Sequence, residues 1–172
     1  MDRVEETKDR VRDVMVSPVV TVSEDATVAE AVNLFVEKWL SGVPVVDRQG
    51  KLAGILTDGD LVRALAATGI GYASAFRQGE EAPELQEEVE ERVFRLALQP
   101  VGQLMTRQVV TIHPDAPLAE AAALMDRYRI KKLPVVEGDT LVGIVARSDI
   151  VLGVLAQLSR QLAAQWPRPE HP

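Results

Sequence analysis

The chain has no cysteine, two histidines and an aromatic content of only 4%. The missing thiols exclude disulfides, thiolate metal centres and cysteine nucleophiles, and they fit a reducing compartment. With so few rings, valine, leucine, isoleucine and alanine must fill the interior. No uninterrupted apolar run is long enough to cross a bilayer. The charged opening Met1–Arg10 lacks the apolar stretch of a signal peptide. The cytoplasm is therefore the expected compartment, and no membrane partner is expected. A basic stripe is also missing. Net charge is −7, and seven of the 26 acidic residues fall between Glu80 and Glu91, leaving 19 acidic against 19 basic elsewhere. Such a chain is a poor ligand for a phosphate backbone, which argues against nucleic acid.

The chain does have enough apolar character, 47% over 172 residues, for a globular fold of one ordinary domain or two small ones. It also has a repeat. Residues 15–46 lie over 105–136 at a constant offset of 90, with thirteen of thirty-two positions identical, Thr21/Thr111, Asp25/Asp115, Glu30/Glu120 and Pro44/Pro134 among them. After a one-residue deletion, Leu52/Leu141, Gly54/Gly143, Ile55/Ile144 and Asp60/Asp149 pair at an offset of 89.

Each copy reads as β-α-β-β-α. Val19–Val22 and Val109–Ile112 are short β-branched runs. In the first copy Thr27 is placed to cap a helix, with Glu30 three residues on and Val28, Ala31, Val32, Phe35 and Val36 as one apolar face. In the second, Pro117 replaces the threonine, so Asp115 or water must serve the first amides. Val43–Val46 and Leu52–Leu56, joined by Asp47–Gly50, read as a hairpin that Leu133–Val136 and Leu141–Val145 repeat. Second helices start near Asp58 and Ser148. The latter continues far enough to carry a stripe of Val151, Leu155, Leu158, Leu162 and Trp166. Either copy alone is marginal as an independent fold, and two copies packed sheet to sheet would share a core. Between them the loop Thr68–Tyr72 holds two glycines that complete no phosphate-binding pattern. From Pro83 a helix with Leu85, Val89, Val93 and Leu96 on one face reads as a surface helix, with a lid or docking helix as the alternative.

These segments in this order resemble CBS domains. Val14-Met15 and Leu104-Met105 open the two copies. Gly42–Asp47 and Lys132–Glu137 supply the middle strands, and Gly54–Asp60 and Gly143–Asp149 close them. The resemblance implies an α/β fold of two β-α-β-β-α repeats packed sheet to sheet with pseudo-twofold symmetry. The first repeat spans residues 10–68 and the second 99–154; 69–98 form a helical insert, and 155–172 a helix extension with a Pro-rich tail. It further implies a cleft between the two repeats that takes AMP, ADP, ATP or S-adenosylmethionine, no obligatory cofactor, and Mg²⁺ only where a nucleotide brings it to Asp58 and Asp60. By the family pattern Thr57 and Asp60 would hold phosphate and ribose. Asp149 matches Asp60, but Ala146 stands where the second threonine should be, with Arg147 and Ser148 as compensating candidates. Thr21, Thr111 and the backbone around Val43, Pro44, Leu133 and Pro134 match positions around the adenine. Lys131 and Lys132 match basic positions facing phosphate, where the first copy has Ser41 and Gly42.

The plain alternatives are that Thr57, Asp60 and Asp149 only cap helices, that the lysines are solvated, and that Thr21 and Thr111 are strand formers. Catalysis is not expected. His113 follows a strand and His171 sits in the tail, and no metalloprotease, hydrolase-elbow or P-loop pattern occurs. The expectation is a non-catalytic regulator that binds an adenine nucleotide, forms a homodimer through the helices at Asp60 and Asp149, and acts on an unnamed target protein. Its rival is a structural interaction module with a degenerate cleft.

Overall fold

The structure, a computed structural model, describes residues 9–69 and 83–165. The loop beyond Gly69, the Leu85 side chain, Trp166 and His171 lie outside the described residues. In chain order the elements are β1 (Val22–Ser23), α1 (Val28–Lys38), β2 (Gly42–Val46), β3 (Leu52–Thr57), α2 (Asp58–Ala67), α3 (Pro83–Leu98), α4 (Leu118–Tyr128), β4 (Lys132–Glu137), β5 (Thr140–Ala146) and α5 (Arg147–Gln165). Short 3-10 turns at Val11–Asp13 and Val101–Gln103 open the two copies. The fold is mixed α/β with two sheets: three strands in the order β1-β2-β3, and the hairpin β4-β5.

Packing divides the chain into two compact units, residues 20–109 and residues 1–19 with 110–172. Each unit holds one repeat together with the opening segment of the other. Val16 exchanges backbone hydrogen bonds with Ile144 at 2.8 and 3.1 Å, and Thr106 does the same with Ile55 at 2.9 Å in both directions. Met15 accordingly packs on the core of Val11, Ile112, Leu133, Val135 and Val145, while Met105 belongs to that of Val22, Phe35, Val43, Val45 and Leu56.

The β-branched runs form less strand than their composition predicts. In the first copy only Val22 and Ser23 pair, parallel to Val45 and Val46; in the second, Ile112 alone bridges to Val135. Proline in the partner strand is the physical cause. Pro134 accepts the Ile112 amide through its carbonyl at 3.1 Å, and Val136 donates back to Ile112 at 2.9 Å. One register step upstream the donor would have to be the Pro134 amide, which does not exist, so the ladder starts only beyond it. Pro44 has the same effect on Val20. The hairpins follow expectation, with Gly42↔Thr57 and Lys132↔Ala146 closing their open ends.

The α1 cap forms as read. The Glu30 carboxylate accepts the Thr27 amide at 2.7 Å and the Thr27 hydroxyl at 2.9 Å. The apolar face is narrower than the periodicity suggests, because Val28, Ala31 and Phe35 are buried whereas Val32 and Val36 are exposed. At α4, Asp115 does not serve the helix start. It pairs with Arg10 and Arg12 instead, and the Asp9 carbonyl takes the Leu118 amide at 2.9 Å, as the Gln99 carbonyl takes that of Val28. Helix α3 lays Val89 and Leu96 against α1 and α2 with Glu87, Glu88, Glu90 and Glu91 exposed. The stripe of α5 is uncovered: Val151, Leu155, Leu158 and Leu162 are 47–62% exposed. Among the described residues no helix is long and apolar enough to cross a membrane.

The cap carries a pH signature. The Thr27 amide, then its hydroxyl, hold the Glu30 carboxyl below its ordinary value. A depressed folded-state pKa means that the contribution is complete above the unfolded pKa and is lost as pH falls through the folded one. Glu30→Gln keeps the cap geometry without the charge. Its melting temperature is expected to lie below wild type at pH 7, with the gap closing below about pH 4. A gap that persists in acid would show that the charge contributes nothing.

Candidate ligand site

In the unit of residues 20–109 the site is the junction where β3 runs into α2. Thr57 ends the strand, and Asp60, at the third helical position, turns back over it. The Asp60 carboxylate is only 6% exposed, and both of its oxygens are engaged. Oδ2 accepts the Thr57 amide and hydroxyl, each at 2.8 Å. Oδ1 accepts from the Arg63 guanidinium, with the Thr106 hydroxyl at 3.4 Å. Asp58 points outward, accepting the amide of Gly59 at 2.8 Å, while its own amide donates to the Ser41 carbonyl at 3.0 Å. With Asp60 saturated and already facing a guanidinium, the Asp58–Asp60 pair does not offer a cation two free carboxylates. Thr21 is exposed nearby in sequence, at the unpaired lead into β1. Val43 and Pro44 are fully buried, so they can meet a ligand through backbone only.

Arg63 and Thr106 were not legible as partners of Asp60. Arg63 lies three residues after Asp60 on a helix, a spacing that permits the contact. Thr106 comes from the other copy's opening segment, and nothing local signals it.

The unit containing residues 110–172 builds the corresponding junction from β5 into α5 differently. Asp149 accepts the Ala146 amide at 2.7 Å through one oxygen. Among the described residues the other oxygen has no partner, and the side chain is half-buried. Position 63 is matched by Leu152 and position 106 by Val16, both apolar and exposed. The Arg147 amide donates to the Lys131 carbonyl at 2.9 Å, and its guanidinium leans on the Ile130 carbonyl at 3.4 Å. Lys132 pairs with Ala146 across the hairpin. Lys131, Lys132, Arg147, Ser148 and Asp149 are thereby gathered at one helix start, with Thr111 exposed on the lead-in and Leu133 and Pro134 sealed in the interior. The two junctions have opposite formal charge: Asp58, Asp60 and Arg63 carry −1, whereas Lys131, Lys132, Arg147 and Asp149 carry +2.

His113 takes the Asp115 amide on Nδ1 at 3.1 Å, which makes it part of a polar turn. It comes near Asp115 and Glu137, all three exposed. Since Asp115 is already neutralised by Arg10 and Arg12, the trio has little anionic character left for a cation.

A duplicated α/β module, with an aspartate at the third residue of each second helix and strand edges ended by proline, is the class these features define. The chain belongs to the CBS domain family, whose model matches residues 11–67 and 101–155. The CBS domain-containing protein YhcV of Bacillus subtilis is 32% identical over 87% of this chain and 88% of its own length. Two solved structures are also similar. CBSX2 in complex with AMP has a TM-score of 0.64 and 27% identity, covering 86% of this chain and 97% of that one. The CBS domain pair of MJ0100 with 5′-methylthioadenosine and S-adenosyl-L-methionine has a TM-score of 0.61 and 26% identity, covering 91% and 98%.

Proposed function

We propose that this chain is a non-catalytic regulatory module whose ligand is an adenine nucleotide (AMP, ADP or ATP), seated at the β5–α5 junction. One observation carries the reading: the backbone pairings Lys132↔Ala146 and Arg147 to Lys131 bring three cationic residues to the helix start whose aspartate, among the described residues, keeps one carboxylate oxygen without a partner. Such an oxygen accepts the hydroxyls of a ribose diol, and the three cations suit a phosphate. The same cations disfavour the positive sulfonium of S-adenosylmethionine. Support comes from the AMP bound to CBSX2 and the adenosyl compounds bound to MJ0100. Thr111 and the backbone of Leu133 and Pro134 then border the adenine, with Thr21, Val43, Pro44, Thr57 and Asp60 as the corresponding set in the first copy. Ligand binding regulates by favouring one arrangement of the module over another, to which a target protein responds. The exposed apolar residues Val62 and Leu65 on α2 and Val151, Leu152 and Leu155 on α5 favour a homodimer through these helices.

AMP at about a hundred times its dissociation constant should add about 2.7 kcal/mol, raising the melting temperature by about 5–10 °C. Asp149→Asn puts an amide donor where the diol needs an acceptor. Calorimetry should find AMP binding about 10–100-fold weaker in that variant. Absence of any shift with AMP, ADP or ATP at millimolar concentration would overturn the reading. A structural interaction module would then be left, favoured by the uncovered Leu158 and Leu162 on the part of α5 that extends beyond the counterpart of α2.

A further inference from the structure

The two junctions differ in what occupies their aspartate. Asp60 is buried and filled on both sides, by Thr57 on one oxygen and by Arg63 with Thr106 on the other. Among the described residues Asp149 carries only the Ala146 amide. The residues that fill the second oxygen of Asp60 are the ones the second copy lacks, since Leu152 stands in the place of Arg63 and Val16 in that of Thr106. The Arg63 side chain is 73% exposed, and a Cβ added at Gly59 would meet its guanidinium at 3.5 Å. It therefore lies across the first turn of α2 and holds Oδ1 of Asp60, the oxygen that Thr57 leaves untaken.

We propose that Arg63, assisted by Thr106, is an internal substitute for the ligand that closes the Asp60 seat and limits the chain to one adenosine site. This rests on the proposed reading of the Asp149 junction and deepens it, because it makes position 63 the residue that decides which copy binds. A guanidinium and a hydroxyl together satisfy a carboxylate much as two ribose hydroxyls would, and a ligand must displace them before it gains anything. At Asp149 no partner among the described residues occupies the second oxygen. Once opened, the first junction would also differ in taste. With Asp58 and Asp60 and no lysine beside them, it would favour neutral adenosine over AMP, the reverse of the second.

Calorimetry with adenosine as the probe tests this on a background that weakens the other seat. Wild type should bind one equivalent per chain, and Asp149→Asn should bind about 10–100-fold more weakly. Adding Arg63→Leu and Thr106→Val, the residues the other copy carries, should restore one equivalent. That regained affinity should be roughly tenfold or more above the Asp149→Asn background, corresponding to one competing charge-assisted hydrogen bond. Further addition of Asp60→Asn should abolish it. Arg63→Met, which keeps the apolar stem, replaces Arg63→Leu should that variant not fold. Wild-type binding that is weakened in Asp149→Asn but not regained with position 63 opened would overturn the substitute while leaving the Asp149 site standing. Two equivalents in wild type would do the same. No adenosine or AMP binding in wild type would overturn both.

Discussion

Leu133→Ala is expected to lower the free energy of unfolding by about 3–4 kcal/mol, with a fall in melting temperature on the order of 10 °C. Leu133 has no exposed surface and sits among Val11, Ile112, Val135 and Val145 in the core of its unit. Truncation removes three carbon atoms from a space walled by β-branched side chains, which have few rotamers with which to collapse into it. The same substitution at Leu56, also fully buried and paired with Val43, should cost a similar amount from the other core. The two variants should part company over ligand. Leu133 pairs with Val145 next to the Lys132↔Ala146 pair, and the Lys131 carbonyl takes the Arg147 amide at 2.9 Å, so a cavity at Leu133 lies one residue from the cationic edge. At a temperature where both variants are folded, Leu133→Ala should bind AMP several-fold more weakly, while Leu56→Ala should bind as wild type does. Urea denaturation measures the first quantity and calorimetry the second. A loss below about 1 kcal/mol at Leu133 would mean that its site repacks without a cavity, contrary to the burial observed.

What could be read in advance was governed by distance along the chain. The Thr27–Glu30 cap is a contact between residues three apart, and so is that of Thr57 with Asp60; both are written locally and both form. The duplication is equally plain, because identical residues recur at one offset. The hairpins needed only alternating apolar runs around a turn, which Asp47 closes by accepting the amides of Gln49 and Lys51, each at 2.9 Å. Beyond that range the sequence was ambiguous. Met15 and Met105 head segments of the same chemistry, so nothing in their composition tells which sheet each will join. The length of β1 depended on a proline that lies twenty-two positions after Val22. The partner of the Leu118 amide, the carbonyl of Asp9, is any residue's carbonyl and carries no side-chain signal.

The ligand junctions divide along the same line. Thr57, Asp60 and Asp149 were found by matching a family pattern, and the pattern correctly sets them at helix starts. It ranks the first copy as the complete one because it counts the threonine. The proposed reading takes the opposite ranking for a diol, since that threonine and Arg63 together engage the carboxylate that the pattern assigns to ribose. A motif records which residues are present but leaves their hydrogen-bonding capacity uncounted. Here, among the described residues, one acceptor with two oxygens meets four donors in the first copy and one in the second.

Gly54→Ala tests the exchanged segments directly, with an expected loss of about 2–3 kcal/mol and a melting temperature lower by about 5–10 °C. A Cβ at Gly54 would lie 2.5 Å from the sulfur of Met105 and 2.8 Å from the Thr106 carbonyl oxygen. The methionine can swing away, because its thioether side chain is flexible. The carbonyl cannot, since it accepts the Ile55 amide at 2.9 Å while the Thr106 amide donates back at the same distance. Relief must come from moving the whole 101–106 segment off β3, which breaks that pair and carries the Thr106 hydroxyl away from Asp60. Gly143→Ala repeats the experiment in the other unit with more room, 2.8 Å to the Met15 sulfur and 3.0 Å to the Val16 carbonyl, and should cost less. The order matters more than either value. Gly54→Ala should be the more damaging of the two, and Met105→Ala should not rescue it, because the obstacle is backbone. Rescue by Met105→Ala would place the conflict in the side chain and leave the bridge between Thr106 and Ile55 free to yield.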